Sequence, residues 1–149
     1  MSNLLKNKKD IIKWLETYNI ENYTLIEDNQ YGYLVDVDDS IDLSQKSLKK
    51  IEVKFNHIKG DFNCSHNELI SLIGAPQIVD GYFDCSNNKL KNLGGLPNIV
   101  DDFLYCVKNP QLGIYQNMTT LNEIKITLEK ENLSKNLIIP EINSIIHKL

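Results

Sequence analysis

Cys64, Cys85 and Cys106 stand 21 residues apart in a chain of 149, and a repeating column of thiols raises two chemistries, metal ligation and disulfide exchange. The spacing argues against both. There is no Cys-x-x-Cys pair and the number of cysteines is odd, so neither a zinc site nor a closed disulfide framework is spelled out. His57, His66 and His147 share no pattern with the cysteines, which leaves no His/Cys ligand set. Free cysteine packs as a small apolar side chain and is among the most buried residue types, so three reduced core thiols are expected. Acid–base chemistry has one candidate pair, Asp61 with Asp84. On adjacent strands they would stand ~5 Å apart, within range for coupled ionisation. No nucleophile, orienting base or phosphate-cradling loop accompanies them. The acidic run Asp36, Asp38, Asp39 and Asp42 lacks the glycine and distal glutamate of a calcium loop, and a turn at 38–40 accounts for it. No catalytic residue, metal or cofactor is expected.

The shift that superposes the cysteines superposes everything around them. GDFNCSHNELISLIGAPQIV at 60–79 aligns without gaps on GYFDCSNNKLKNLGGLPNIV at 81–100, and then on DFLYCVKNPQLGIYQN from 102. A further shift backwards puts Ile41 on Phe62, Leu43 on Cys64, Leu48 on Leu69, Ile51 on Leu72 and Ile58 on Val79. Forwards, the apolar columns run to Ile114 and Leu121, with a disturbance at Pro110. A fixed period of 20–29 residues is the mark of a leucine-rich-repeat solenoid, in which each unit is one strand plus a return path and units stack to share a core. The predicted fold is therefore an α/β solenoid with a parallel β-ladder, its strands near 41–43, 62–64, 83–85 and 104–106. Strand alternation sends Phe62, Cys64, Phe83, Cys85, Leu104 and Cys106 inward. It sends outward the rows Ser40, Asp42, Ser44; Asp61, Asn63, Ser65; Tyr82, Asp84, Ser86; and Phe103, Tyr105, Val107. Asn67, Asn88 and Asn109 fall three residues after each cysteine, where an inward amide can satisfy backbone groups at the bend. Gly74 and Gly95, followed by Pro76 and Pro97, suit the tight return.

The ends change period. Residues 3–18 read as an amphipathic helix with Leu4, Leu5, Ile11, Ile12, Trp14 and Leu15 in one stripe. Two β-rich runs around EDNQYG read as a hairpin leading into the ladder. Thr119 or Thr120 can cap a helix to about Lys130; after a break at 132–136, Pro140 can open a second short helix. The division is thus 1–39 as N-terminal helix and hairpin cap, 40–116 as repeats, and 117–149 as C-terminal helical cap.

Composition narrows the partners. All sixteen basic residues are lysine, and the net charge is -4. Without arginine the chain lacks the usual bidentate reader of guanine and phosphate. Lys46, Lys49, Lys50, Lys54 and Lys59 form a basic run that reads as the solvated side of a return segment, so nucleic acid is not the expected partner. No apolar run approaches the ~18 residues of a membrane span, and the N-terminus shows no signal-peptide pattern. With unpaired cysteines, this points to a reducing cytoplasm.

The repeat resembles that of the short leucine-rich-repeat proteins of bacteriophages, with units of the form x-F-x-C-S-x-N-x-L-x-x-L-x-G-x-P-x-x-V. Those residues here are Phe62, Cys64, Ser65, Asn67, Leu69, Leu72, Gly74, Pro76 and Val79, then Phe83, Cys85, Ser86, Asn88, Leu90, Leu93, Gly95, Pro97 and Val100. The third unit departs from the pattern at Val107 and Pro110. The resemblance covers about residues 15–115. It implies a phage or prophage origin and a protein-binding role, such as inhibiting a host protein or antiviral-defence component during host takeover. The expected partner-binding residues are Asp61, Asn63, Tyr82, Asp84, Phe103 and Tyr105, since exposed aromatics anchor protein interfaces. Two alternatives stand beside this: a hydrolase using the Asp61–Asp84 pair, and an acidic face that competes with nucleic acid for a basic partner.

Overall fold

The computed structural model describes residues 4–135, with side chains to residue 132. It is a β-solenoid of about three turns built from two parallel ladders around one core. One ladder is the expected one: β3 (Ile41–Asp42), β5 (Phe62–Asn63), β7 (Phe83–Asp84) and β9 (Leu104–Tyr105) pair in parallel, residue on residue at a shift of 21. The other ladder runs along the return path. There β4 (Phe55–Ile58), β6 (Ile78–Val79) and β8 (Ile99–Val100) pair in parallel, with Ile58 on Val79 on Val100. The hairpin forms as expected, with β1 (Tyr23–Asp28) antiparallel to β2 (Gly32–Val37). It precedes β3 in the chain, but in space β2 extends the return-path ladder by pairing with β4.

Between the ladders, the inward residues Phe62, Phe83, Cys64, Cys85, Leu69, Leu72, Leu90 and Val79 are completely buried. An aromatic row threads the core. Trp14 meets Phe55 at 6.2 Å between ring centroids, Phe55 meets Phe62 edge-on at 5.3 Å, and Phe62 stacks on Phe83 at 5.7 Å and 9°. Burying each such ring contributes about 1.5–3 kcal/mol, and identical rings one strand spacing apart stack only because the units are in register.

The polar counterpart is the asparagine column. Asn88 donates through Nδ2 to the carbonyls of Cys85 (3.0 Å), Ser86 (3.2 Å) and, one turn earlier, Cys64 (3.1 Å). Its Oδ1 accepts from the Leu69 amide (3.0 Å). Asn109 repeats the set one turn later, on Cys106, Val107 and Cys85, and accepts from Leu90. Asn67 does the same on Cys64, Ser65 and Leu43, accepting from Lys46 and Leu48. Between strand and asparagine the chain turns through a left-handed residue, His66, Asn87 or Lys108, at φ of 56, 56 and 57°. The return bend depends on glycine. Gly95 has φ +90°, and a Cβ there would stand 2.4 Å from the Leu72 carbonyl oxygen.

Several expectations shift. The first helix, α1 (Lys8–Thr17), starts five residues later than its apolar pattern, because Asn7 caps it by accepting from the Lys9 and Asp10 amides. Leu4 is still buried, ahead of the helix, where the Leu5 amide donates to the Glu52 carbonyl. Ser65 and Ser86 are buried rather than outward, since the bend has already begun: the Ser65 amide and hydroxyl both donate to Asn63 Oδ1, at 3.0 and 2.6 Å. Lys54 is buried rather than on a solvated face, its ammonium donating to the Ala75 carbonyl; Lys46, Lys49, Lys50 and Lys59 are exposed. Pro110 opens two short 3-10 turns over Pro110–Asn117, broken by a kink at Gly113 (φ +58°), and the register is delayed by one residue, so Leu112 is buried and Ile114 is out in solvent. The C-terminal helix α2 (Leu121–Lys135) continues past residue 132, where the break at 132–136 was expected to begin, and reaches the end of the described residues. Thr120 caps its start: Oγ1 accepts from the Glu123 amide and its hydroxyl donates to the Glu123 carboxylate. The second short helix expected from Pro140 lies outside the described residues.

Replacing Asn88 with alanine strands the Leu69 amide in the core and is expected to lower stability by ~1–3 kcal/mol, read as a lower urea midpoint. Asn88→Asp keeps the shape but presents oxygen to three carbonyls, so it should cost at least as much. An Asp variant as stable as wild type would refute the bonding role of this column.

Candidate functional site

The outward side of the β3-β5-β7-β9 ladder carries every expected partner-binding residue. Asp42, Asn63, Asp84 and Tyr105 form one row across the strands by direct pairing. Beside it runs a second row at the same 21-residue shift, Ser40, Asp61, Tyr82 and Phe103. Asp61, Asn63, Tyr82 and Asp84 are half-buried, while Phe103 is 49% and Tyr105 37% exposed. Tyr82 meets Tyr105 edge-on at 6.3 Å, and Tyr105 meets Phe103 at 6.4 Å. The rings therefore form one contiguous cluster at the end of the ladder farthest from α1.

Most polar groups in these rows hold the fold. Asp42 Oδ1 accepts from the Ser44 amide and hydroxyl (2.9 and 2.6 Å), which keeps its carboxyl below the usual carboxylate range. Asn63 and Asp84 make the equivalent turn with Ser65 and Ser86. In the neighbouring row, Ser40 Oγ accepts from the Asp61 amide and Asp61 Oδ1 from the Tyr82 amide, each at 2.9 Å. That reach needs space on the next turn. A Cβ on Gly60 would stand 2.4 Å from Ser40 Oγ, and one on Gly81 2.0 Å from Asp61 Oδ1. Tyr82 offers no such acceptor to Phe103, and the corresponding position 102 is an aspartate.

The register corrects the picture of Asp61 and Asp84 as side-by-side carboxylates. Asp84 pairs with Asn63, whereas Asp61 belongs to the row of Tyr82, so the two are diagonal neighbours and each is tied to a different backbone amide. Burial raises the Tyr82 hydroxyl pKa, and the carboxylates of Asp61, Asp84 and Asp42 add to the effect. This ring sits in a negative field.

The last turn breaks the pattern in a coordinated way. Where earlier turns have Asp42 with Ser44, Asn63 with Ser65 and Asp84 with Ser86, this one has Tyr105 with Val107. Both members of the hydrogen-bonded turn are exchanged for side chains that do not close it, an aromatic ring and an isopropyl group, and Val107 is 39% exposed. Val107, expected in the outward row but not among the partner-binding residues, adds to the exposed apolar surface of this turn.

The cysteines are free and buried. Desolvation raises all three thiols; Cys106, nearest the end, is pushed up to about 11. Among the described residues no group of three His, Cys, Asp or Glu side chains is arranged to hold a metal ion. No helix among them is long and apolar enough to cross a membrane. Comparison of the chain with protein families, with characterised proteins and with solved structures finds no match in any of the three.

Two outcomes follow for the core and the face. Iodoacetamide at pH 8 should modify the native thiols far more slowly than the urea-unfolded ones, with Cys106 reacting first. An unfolded thiol ionises near 9 and a folded one higher, so the thiol contribution to stability should be constant well below pH 9 and fall as the pH climbs towards 11. Native alkylation as fast as in urea would contradict the burial. Gly81→Ala should destabilise the chain, and by clearly less in an Asp61→Ala background, because the Asp61 carboxylate is what the new methyl meets. Additive effects in a double-mutant cycle would show that the two positions do not touch.

Proposed function

We propose that this chain is a non-catalytic protein-binding module and that the outward face of the β3-β5-β7-β9 ladder is its epitope. The observation that carries this reading is the last turn, where a hydrogen-bonded turn is replaced by exposed Tyr105 and Val107 beside Phe103 and Tyr82. Exposed aromatic side chains in contact with one another are costly to keep in water. At the centre of an interface they supply large rigid contact area, and such anchors dominate binding energy. Asp61, Asn63 and Asp84 form the polar rim.

In the same reading the 21-residue units are leucine-rich repeats of the short phage kind, α1 and the hairpin close one end, and α2 closes the other. The resemblance of the repeat supports a phage or prophage origin, and hence a host protein as partner, bound and inhibited in the host cytoplasm. The buried free thiols suit that reducing compartment.

Affinity capture from host lysate with the wild-type chain, followed by mass spectrometry, identifies the partner; Tyr105→Ala and Tyr82→Ala then test the epitope. Both rings lie outside the core, so the variants should unfold at the wild-type urea midpoint. Each should weaken capture by ~2 kcal/mol, about thirtyfold. Wild-type capture by both folded variants would move the epitope away from this face.

A further inference from the structure

The negative side chains around the aromatic cluster specify the partner further. Two lysine–carboxylate ion pairs, Lys59–Asp38 and Lys89–Glu68, and a His57–Asp80 hydrogen bond occur among the described residues, and none uses Asp42, Asp61 or Asp84; the Lys46 ammonium is close enough to Asp42 to favour its charged form without pairing with it. Each of these three aspartates fastens Oδ1 to backbone, on Ser44, Tyr82 and Ser86 respectively. No hydrogen bond to Oδ2 of any of them occurs among the described residues. Fixed on one side, a carboxylate loses little rotamer freedom when a cation arrives on the other. The rings of Tyr82 and Tyr105 lie on the same face, and an aromatic ring also attracts a cation over its π surface.

We propose that this face takes a cationic segment of a protein partner, with lysine or arginine side chains seated on Asp42, Asp61 and Asp84 and an adjoining apolar side chain on Tyr82, Phe103, Tyr105 and Val107. The proposal rests on the protein-binding reading above and adds the chemistry of the bound segment. From Asp42 to Tyr105 the row crosses three strand spacings, ~14 Å, so the segment lies across the strands and contacts charge first and rings last. Carboxylates arrayed this way also steer a basic partner towards the face before contact.

The test uses isosteric neutralisation. Asp→Asn at 42, 61 and 84 retains the acceptor that each backbone amide needs, and Asn63 already fills this role in its own turn. The triple variant should therefore keep the fold, checked by its urea midpoint. A random heptapeptide library displayed on particles is selected against the immobilised full chain. The enriched peptides are then synthesised and titrated by fluorescence anisotropy at about 0.05 M and about 0.5 M salt. Peptides joining lysine or arginine to an apolar residue are expected, with affinity falling about tenfold in the triple variant and falling again at high salt. A pool without excess basic residues, or basic peptides that bind the triple variant as tightly as wild type, overturns the proposal. Tyr105→Ala then separates the two readings: if it abolishes binding of such peptides, the face is the epitope and only the cationic partner is wrong; if it does not, the face is wrong as well.

Discussion

The structure depends on a hydrogen-bonded spine in which asparagine side chains alternate with cysteine carbonyls along the solenoid axis. The Cys64 carbonyl accepts from Asn67 and Asn88, and the Cys85 carbonyl from Asn88 and Asn109. Both lone pairs of each carbonyl are thus in use, and every asparagine joins its own turn to the one before. A tight bend inside a narrow core leaves carbonyls and amides that neither ladder can pair. Water is excluded, and each unpaired group would cost about 1–3 kcal/mol. An amide side chain is the one neutral group of this size with both two donors and an acceptor. Once that residue is required at one point in each turn, the spacing between turns is fixed. The register of both ladders, the Phe62–Phe83 stack and the thiol column then follow.

The same economy explains the outward face. Over the first three turns, polar residues there are engaged by the backbone: Asp42, Asn63 and Asp84 close turns, while Ser40 and Asp61 reach the next strand over a glycine. A ladder can omit such local bonds in one turn when its spine and core are complete. The last turn does so, keeping Asn109 and Cys106 buried while Tyr105 and Val107 replace the turn-closing pair. The proposed binding surface is the place where the structural pattern lapses on the outside and persists on the inside.

Much of this is legible in the repeat itself. A 21-residue shift identifies the strands of one ladder to within a residue, and alternation puts Tyr82, Asp84, Phe103 and Tyr105 on one side. The second ladder was not legible. Its strands at 78–79 and 99–100 are two residues long, too short for alternation to show, and they exist because the units stack in register. Ser65 and Ser86 were misplaced because alternation was extended past the point where the bend begins. Lys54 was assigned to a charged surface by its neighbours in sequence, although its ammonium reaches a carbonyl 21 residues further on. The aromatic cluster was foreseen as a set of residues, and the diagonal relation of Asp61 to Asp84 was not, since it depends on which column each occupies.

By itself the sequence determined the period, the identity of the inward columns and the place where the pattern lapses. These are properties of one unit, repeated, and they are set by local alternation and by the demand of each bend for an asparagine. Tertiary structure decided what lies between units: the return-path ladder, the ring contacts of Tyr82, Tyr105 and Phe103, and the fastening of each aspartate to one amide. Those depend on the separation and register of neighbouring turns, and residues 21 apart meet there only after the chain has closed each turn upon the last.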